Sequence, residues 1–581
     1  MSRTVVRWTL GVLAAAVIAV LVQTATQAPK ARDDLALVAE DATTLGDQLH
    51  SGDLEAARST TDRMQQHAAA ARNHTRGPGW WVGARAPLVG DDVRAVRTVA
   101  DVADQLARHV VPRVVAISRS VDPVRLRPVG GKVDLTALHA AGPDVVAADR
   151  VLRQQSDRVE TIRTDRLLPQ VAGPVLQIQQ QLGQARSLSD RVTRSVRLLP
   201  VMLGEDGRRT YLLMSQNNAE IRSGGGIPGA FTTIIADHGR IALGRQSSAR
   251  TLGGPDSVPL ALTAEERRIF GVNMGRYAQD TTLTPDFPRS AELVSMMWRR
   301  THGVRVDGVL SVDPVALSYL LRGTGPAGRT PDGRPLTAAN AVTALLSTAY
   351  ADLPDSHAQD DYFAATSRAV FHAVVTGRGR PDVVLAQLAR GVQERRVLLW
   401  SDHAEEQRVL APTRLGGRLA RAASQPPDVG VFLNDGGESK LDYYFEHRVD
   451  VVPTSCRAGR QHLRVRVRLG SRLRPGQPLP RVVVNDAVGT PRATIRVTLF
   501  VYAPVGGSLD RVRYSGREHP VADLSHDGRR LTAVTLDVAP GGRRTLAMDM
   551  VTAAGERRAP RVVTTPGVFD DGVGLVGAVA C

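Results

Sequence analysis

An uncharged run from Trp8 to Pro29, with the apolar centre Leu10–Val22 and with Arg3 and Arg7 before it, constrains this chain more than any other feature. A spanning helix needs about 20 apolar residues to cross a hydrocarbon layer of about 30 Å, and the run is just long enough. Arginines on its N-terminal side keep that end in the cytoplasm. Residues 1–7 therefore read as a cytoplasmic tail and residues 8–29 as a transmembrane anchor. A cleaved signal peptide is the competing reading, with Thr26-Gln27-Ala28 as the cleavage site. Threonine in that triplet and proline directly after it make the site poor, so an uncleaved anchor is expected. Either way the remainder is exported, and no second apolar run is long enough to bring it back. The expected location is the cell membrane, single-pass, with the bulk outside the cytoplasm.

Export changes the meaning of the charge. The 581 residues carry a formal charge of +16, almost all of it from arginine, since the lysines are only Lys30, Lys132 and Lys440. A basic surface attracts polyanions. Nucleic acid is not expected as a partner, because the chain is exported and carries no helix-turn-helix, RNP or zinc-finger pattern. Lipid headgroups, phosphate-bearing wall polymers or an envelope protein remain. A bias to arginine also follows from a high-GC genome, so a merely solvated basic surface stays open. The cysteines are Cys456 and Cys581 alone. A pair bracketing the last part of an exported chain reads as one disulfide, worth about 4–5 kcal/mol for a loop of that length on the chain-entropy account.

The exported part divides by pattern. From 33 to 195 apolar residues recur at three- and four-residue steps, as in Val96, Val99, Ala103, Leu106, Val110, Val114 and Ile117, the stripe of an amphipathic helix. This predicts a helical stalk or bundle, with Gly130-Gly131 and Gly142-Pro143 separating its later helices. Trp80-Trp81 is either packed under a loop or set at the membrane surface. From 200 to 427 short strands (Thr210–Met214, Ala230–Ala236, Gly308–Val312) mix with helices, which predicts a central α/β domain. A hairpin is expected at Asp237-His238-Gly239. From 428 to 581 strands dominate. Leu463, Val465, Val467 and Leu469 alternate with Arg464, Arg466 and Arg468, a half-buried strand with a basic outer face, and a C-terminal β-sandwich is expected. The fold class is multidomain α+β.

The densest polar cluster is Gln216-Asn217-Asn218-Ala219-Glu220-Ile221-Arg222-Ser223-Gly224-Gly225-Gly226. Read as a loop between two strands, it offers amides, a carboxylate, a guanidinium and glycine N–H groups that can cradle an anion. Gln216, Asn217, Asn218, Glu220, Arg222, Gly224 and Gly225 are the candidate ligand-binding residues. A tight turn whose amides satisfy neighbouring backbone groups is the other reading. Asp352, Asp355, Asp360 and Asp361 form an acidic group better read as a capped helix start than as a cation site. HExxH, GxSxG and P-loop patterns are absent, and the 14 histidines are scattered without ligand spacing. No metal site and no catalytic residue is assigned.

Thr210–Arg222, the glycines after it, Gly229-Ala230-Phe231 and the hairpin at Asp237–Ile241 resemble the DUF4012 family of bacterial, especially actinobacterial, envelope proteins. So do Val306–Pro314, Gly323–Pro326, Tyr350, Trp400-Ser401, Leu433-Asn434-Asp435 and Ser439–Tyr444. Ser223-Gly224-Gly225 stands where that family typically has Thr-Gly-Gly. The resemblance implies a membrane-tethered, surface-exposed protein of unestablished activity. Asp307–Asp313 with its following helix and Gly-Thr-Gly turn is also similar, less closely, to the LytR-CpsA-Psr glycopolymer transferases. Two functions are therefore expected in competition. One is a non-enzymatic envelope protein that binds anionic wall polymer or an envelope partner. The other is a glycopolymer phosphotransferase-like enzyme acting on lipid-linked precursors, with Asp307 and Asp313 supporting the 216–226 block and Mg²⁺ as its cofactor. That second reading requires carboxylates converging near Arg222.

Overall fold

The structure is a computed structural model that describes residues 28–581 apart from 50, 88, 121–127, 354, 422–426, 485–488, 490, 523, 570–571 and 578–580. All of the Trp8–Pro29 run except its last two residues lies outside the described residues. Among those described, no helix is long and apolar enough to cross a membrane. The chain forms two compact units. One joins the residues up to Leu126 to Asp134–Met202, and the other joins Arg127–Val133 to Leu203–Cys581.

The first unit is helical. A helix over 28–49 and the helix Leu54–His74 run antiparallel. Leu45 packs in one cluster with Ala57, Val38 in another with Met64 and Ala68, and Asp34 lies 3.6 Å from His74. Asp53 caps the second helix by accepting the Ala56 N–H, which satisfies a donor the first turn leaves open. Gly90–His109, Val111–Ser120, Leu135–Glu160 and Pro169–Met202 complete the unit. Inside it the Asp104 carboxylate, fully buried, is held by Arg72 and Arg108. Gly142-Pro143 does not separate two helices. Leu135–Glu160 runs straight through the pair, because burying Leu138, Ala141, Val145, Ala148 and Leu152 outweighs one lost backbone bond. The two tryptophans part company: Trp80 is buried, while Trp81 is exposed.

The second unit contains three sheets. In the first, β1 (Arg209–Arg222), β2 (Gly225–Asp237) and β3 (Arg240–Ser248) form an antiparallel meander. The strand β4 (Gly308–Val312) joins β1 in parallel, and β5 (Val397–Ser401) closes the order β3-β2-β1-β4-β5. The β2–β3 turn is His238-Gly239, both with positive φ, the two-residue geometry that matches strand twist. Helices Phe287–His302, Pro314–Thr324, Ser356–Val375 and Pro381–Gln393 accompany this sheet.

The other two sheets are β6 (Asp428–Asp435), β9 (Ile495–Tyr502), β12 (Leu524–His526), β13 (Arg529–Val538) and β15 (Arg561–Thr564), and β7 (Phe445–Arg457), β8 (Arg460–Ser471), β10 (Ser508–Tyr514), β11 (Arg517–His519), β14 (Arg543–Val551) and β16 (Val573–Val576). They share one core. Val431, Leu433, Val497, Leu499 and Leu536 of the first pack with Val449, Val451, Val465, Val467 and Met548 of the second. The alternation in β8 therefore sets its register: four apolar residues point in, and the arginines between them point out. The outer arginines do not make a free basic face, since Arg464 pairs with Asp549 at 3.1 Å and Arg468 with Asp450 at 2.7 Å. Cys456, at the end of β7, is bonded to Cys581.

Candidate functional site

The polar block at 216–226 is not a loop. It is the end of β1, a turn at Ser223-Gly224, and the start of β2. The ladder pairs Asn217 with Ile227 and then Ile221 with Gly226, so Asn218, Ala219 and Glu220 bulge out between two paired stretches. Glycine is required beyond the turn. A Cβ on Gly225, whose φ is +129°, would run into the Gln216 carboxamide, and one on Gly226 into the Asn217 carbonyl.

Most of the block's polar groups hold the protein together. Gln216 Nε2 donates to the Gly224 carbonyl at 3.1 Å, and Asn218 Nδ2 donates to Asp313 at 3.1 Å. The turn is gripped by residues far along the chain. Ile221 N–H donates to Asp442 at 2.8 Å and Ser223 N–H to Asn434 at 2.6 Å, while Thr565 Oγ1 donates to the Ser223 carbonyl at 3.2 Å. Gly224 N–H donates to the Thr282 carbonyl at 2.9 Å. Of the glycine N–H groups proposed as an anion cradle, this one is already engaged. Ala219 and Ile221 lie in the same core as the two C-terminal sheets. Arg222 is buried, 3.9 Å from both Asp280 and Asp435. Burial raises the Asp435 carboxyl to about 6, against the attraction of Arg222. Burial, and then the charge of Asp435, raises Asp442 as well.

A small cavity of about 120 Å³ lies beside the bulge, lined by Asn217, Glu220, Tyr350, Asp360 and Lys440 among others. Asn217 Nδ2 donates to Glu220 at 3.0 Å and to the Tyr350 hydroxyl at 2.7 Å, and Lys440 Nζ lies 3.2 Å from Glu220. One turn of π-helix, Ala344–Thr348, adjoins this cavity, a geometry that recurs at functional sites. The acidic group divides: Asp355 caps the helix at Ser356, and Asp360 accepts a hydrogen bond from Ser248.

The two supporting acids do not converge on Arg222. They flank β4, about 20 Å apart at the rise of a strand. Asp307 accepts the Thr210 N–H at 2.7 Å and lies 2.8 Å from His403, with Arg209 and Glu406 around it. Burial alone would raise its carboxyl, but the hydrogen bonds from Thr210 and His403 and the charge of Arg209 hold it below the ordinary range. Asp313 caps the helix Pro314–Thr324 through Ala316 N–H at 2.7 Å and pairs with Arg396 at 2.8 Å, both side chains being fully buried. Asp307 thus stands apart, while Asp313 lines the same small cavity as Gln216, Asn217 and Glu220 but has different hydrogen-bond partners from Glu220. Among the described residues no group of three or more His, Cys, Asp or Glu is placed to hold a metal ion.

A larger cavity, about 920 Å³, lies elsewhere, beside β6, β15 and β16. Its lining includes Arg390, Arg395, Arg408, Arg414, Arg418, Arg421, Arg529 and Arg561, against the carboxylates Glu394 and Asp428. Apolar wall comes from Leu419, Phe432, Val562 and Val573. Asp428 is taken up by a two-pronged bond to Arg561 at 2.7 and 3.0 Å, and Glu394 by Arg390 and Arg396. Three cations have carbonyls instead of carboxylates. Arg395 donates to Pro285 O, Arg414 to Gln393 O, and Arg529 to Ala503 O and Asp428 O. Burial pushes Arg395 and Arg529 down to about 10. Burial, with Arg561 close by, lowers Arg414 too. Arg395 also sits at φ +59°, a backbone conformation an arginine rarely adopts. Sequence reasoning missed this cavity. The one local signal was the density of arginines between Arg390 and Arg421.

Residues 206–350 match the family model DUF4012, described as a protein of unknown function. The motifs beyond 350 that carried the same resemblance lie outside the matched span. No curated protein matches the chain.

Proposed function

We propose that this chain, a DUF4012 protein over residues 206–350, is a membrane-anchored extracytoplasmic envelope protein that binds phosphate-bearing wall polymer in the arginine cavity. On this reading residues 8–29 anchor it, 33–195 form a stalk or bundle, and 200–427 and 428–581 are the core and sandwich that carry the site. One observation carries the proposal. The cavity lining gathers eight arginines; Arg390, Arg408, Arg421 and Arg561 have acidic partners, while Arg395, Arg414 and Arg529 are hydrogen-bonded to carbonyls. Guanidinium groups crowded together and partly desolvated gain most from a multivalent anion, because they present forked donors that match phosphate oxygens. The apolar wall beside them strengthens each charge interaction by excluding water. The transferase reading loses its two expected acids, because Asp307 and Asp313 stand away from Arg222 and the carboxylates that approach it are Asp280 and Asp435.

The test is binding of poly(glycerol phosphate) to the full chain in detergent, measured against salt concentration. The expected result is an affinity that falls steeply with salt. The combined variant Arg395→Ser, Arg414→Ser and Arg418→Ser should lose at least about tenfold, given ~1.5–3 kcal/mol for each hydrogen bond to a charged group. The matched variant Arg464→Ser, Arg466→Ser and Arg468→Ser, on the outer face of β8, should bind like the parent. Equal loss in both variants would mean that overall charge, not the cavity, attracts the polymer.

A further inference from the structure

We infer that the end of the helical unit formed by residues 28–35, 75–92 and 161–171 rests on the bilayer surface, with Trp81, Val82, Val89 and Leu168 in the headgroup–acyl boundary. The inference rests on the reading of Trp8–Pro29 as an anchor.

These four residues are exposed by 56%, 44%, 41% and 48%, while neighbouring Trp80 is 3% exposed. They share one end of the bundle. Leu168 N–H donates to Asp92 at 2.8 Å, Gly90 N–H to Ala86 O at 3.1 Å, and the Asp34–His74 pair brings the start of the first described helix to the same place. Arg85 stacks on one face of Trp81, 3.7 Å from the ring centre, and donates to its carbonyl. Such a pair has an apolar plate and a cationic rim, the form that suits a membrane interface.

The chain itself names the occupant. The apolar centre ends at Val22, and the described structure begins at residue 28. The five residues between can span at most about 20 Å even when fully extended. The end of the bundle that carries residue 28 is therefore held close to the bilayer, and it is the end that presents Trp81. The charges there are mixed: Lys30, Arg32, Arg76, Arg85, Arg163 and Arg166 stand against Asp33, Asp34, Asp91, Asp92 and Asp165. Docking is accordingly driven by the apolar residues and the indole, and it is insensitive to salt.

The experiment uses the full chain in phosphatidylcholine–phosphatidylglycerol vesicles, with or without acyl chains brominated near the headgroup. The emission of Trp81 is isolated as the difference between the parent and Trp81→Phe. Brominated lipid should remove most of that difference, at low and high salt alike, and aqueous iodide should leave it intact. Val82→Ser with Val89→Ser should weaken the bromine effect without changing helical content. A Trp81 signal quenched by iodide and untouched by bromine, in protein that floats with the vesicles, overturns the docking and leaves the anchor standing. Protein that does not float with the vesicles overturns the anchor and the docking together.

Discussion

The role of Asp313 separates a structural from a catalytic reading of this protein, and its pairing with Arg396 makes the difference measurable. The two side chains are 0% and 1% exposed and 2.8 Å apart. Asp313 also accepts from Asn218 Nδ2 and Ala316 N–H, while Arg396 also donates to Glu394 at 2.7 Å and to the Gly567 carbonyl at 2.7 Å. The pair therefore ties the end of β4 to a segment more than 250 positions later, between β15 and β16. Arg396→Met leaves a buried carboxylate without its cation and should cost ~3–5 kcal/mol. Asp313→Asn keeps the acceptor for Ala316 but turns an amide NH₂ toward two other donors, Asn218 and Arg396, and should cost ~3 kcal/mol. Made together, the two changes remove both charges, so the double variant should be more stable than the sum of the singles by ~2 kcal/mol or more. Urea unfolding followed by tryptophan emission is the assay, since Trp298 and Trp400 are both buried in this unit. An Asp313→Asn variant that unfolds at the parent's urea concentration refutes this structural role, and so do two losses that simply add. An Asp313→Asn variant of parental stability that had lost a polymer-directed activity would restore this residue as a functional acid.

Two further outcomes follow from the same structure. Asp435 is raised to about 6 by burial, and burial with the charge of Asp435 raises Asp442 well above the ordinary carboxylate range, so the native state keeps protons that the unfolded chain releases. The contribution of Asp435 is full below the ordinary carboxylate range near pH 4 and is lost as pH rises through about 6. Asp435→Asn should therefore flatten the decline in stability between those values relative to the parent, and parallel denaturation curves of the two proteins across that range would contradict it. Reduction of Cys456–Cys581, or Cys581→Ser, opens a loop with a sequence separation of 125 and should lower the unfolding free energy of the second unit by up to ~5 kcal/mol. An unchanged urea midpoint under reducing conditions would show that the bond restrains only its own strand ends.

The small cavity at the bulge and the large arginine cavity divide the chemistry of the second unit. Glu220 has a cation, Lys440, and an amide donor, Asn217, beside it. Arg395 and Arg414 are hydrogen-bonded to carbonyls. The first arrangement stiffens a hairpin that the C-terminal sheets enclose, and the second leaves cationic groups that an incoming anion would complete.

Much of this protein was legible in the sequence because its signals are local. The period-two alternation of Leu463 to Leu469 set which face of β8 is buried. Asp237-His238-Gly239 specified a hairpin because the turn needs two residues at positive φ. The two cysteines of the sequence, Cys456 and Cys581, implied their bond. The failures share one cause, which is that their determinants are not local. Gln216–Gly226 read equally as a ligand loop and as a tight turn because nothing near it in the chain reveals that Asn434, Asp442 and Thr565, more than 200 residues on, close over the turn and satisfy its backbone. Leu135–Glu160 crosses Gly142-Pro143 because tertiary burial overrides the local preference. The arginine cavity has no spacing at all. It exists only where side chains from the 390–421 stretch meet those of β13 and β15, and a concave surface comes from packing that no single window of sequence contains.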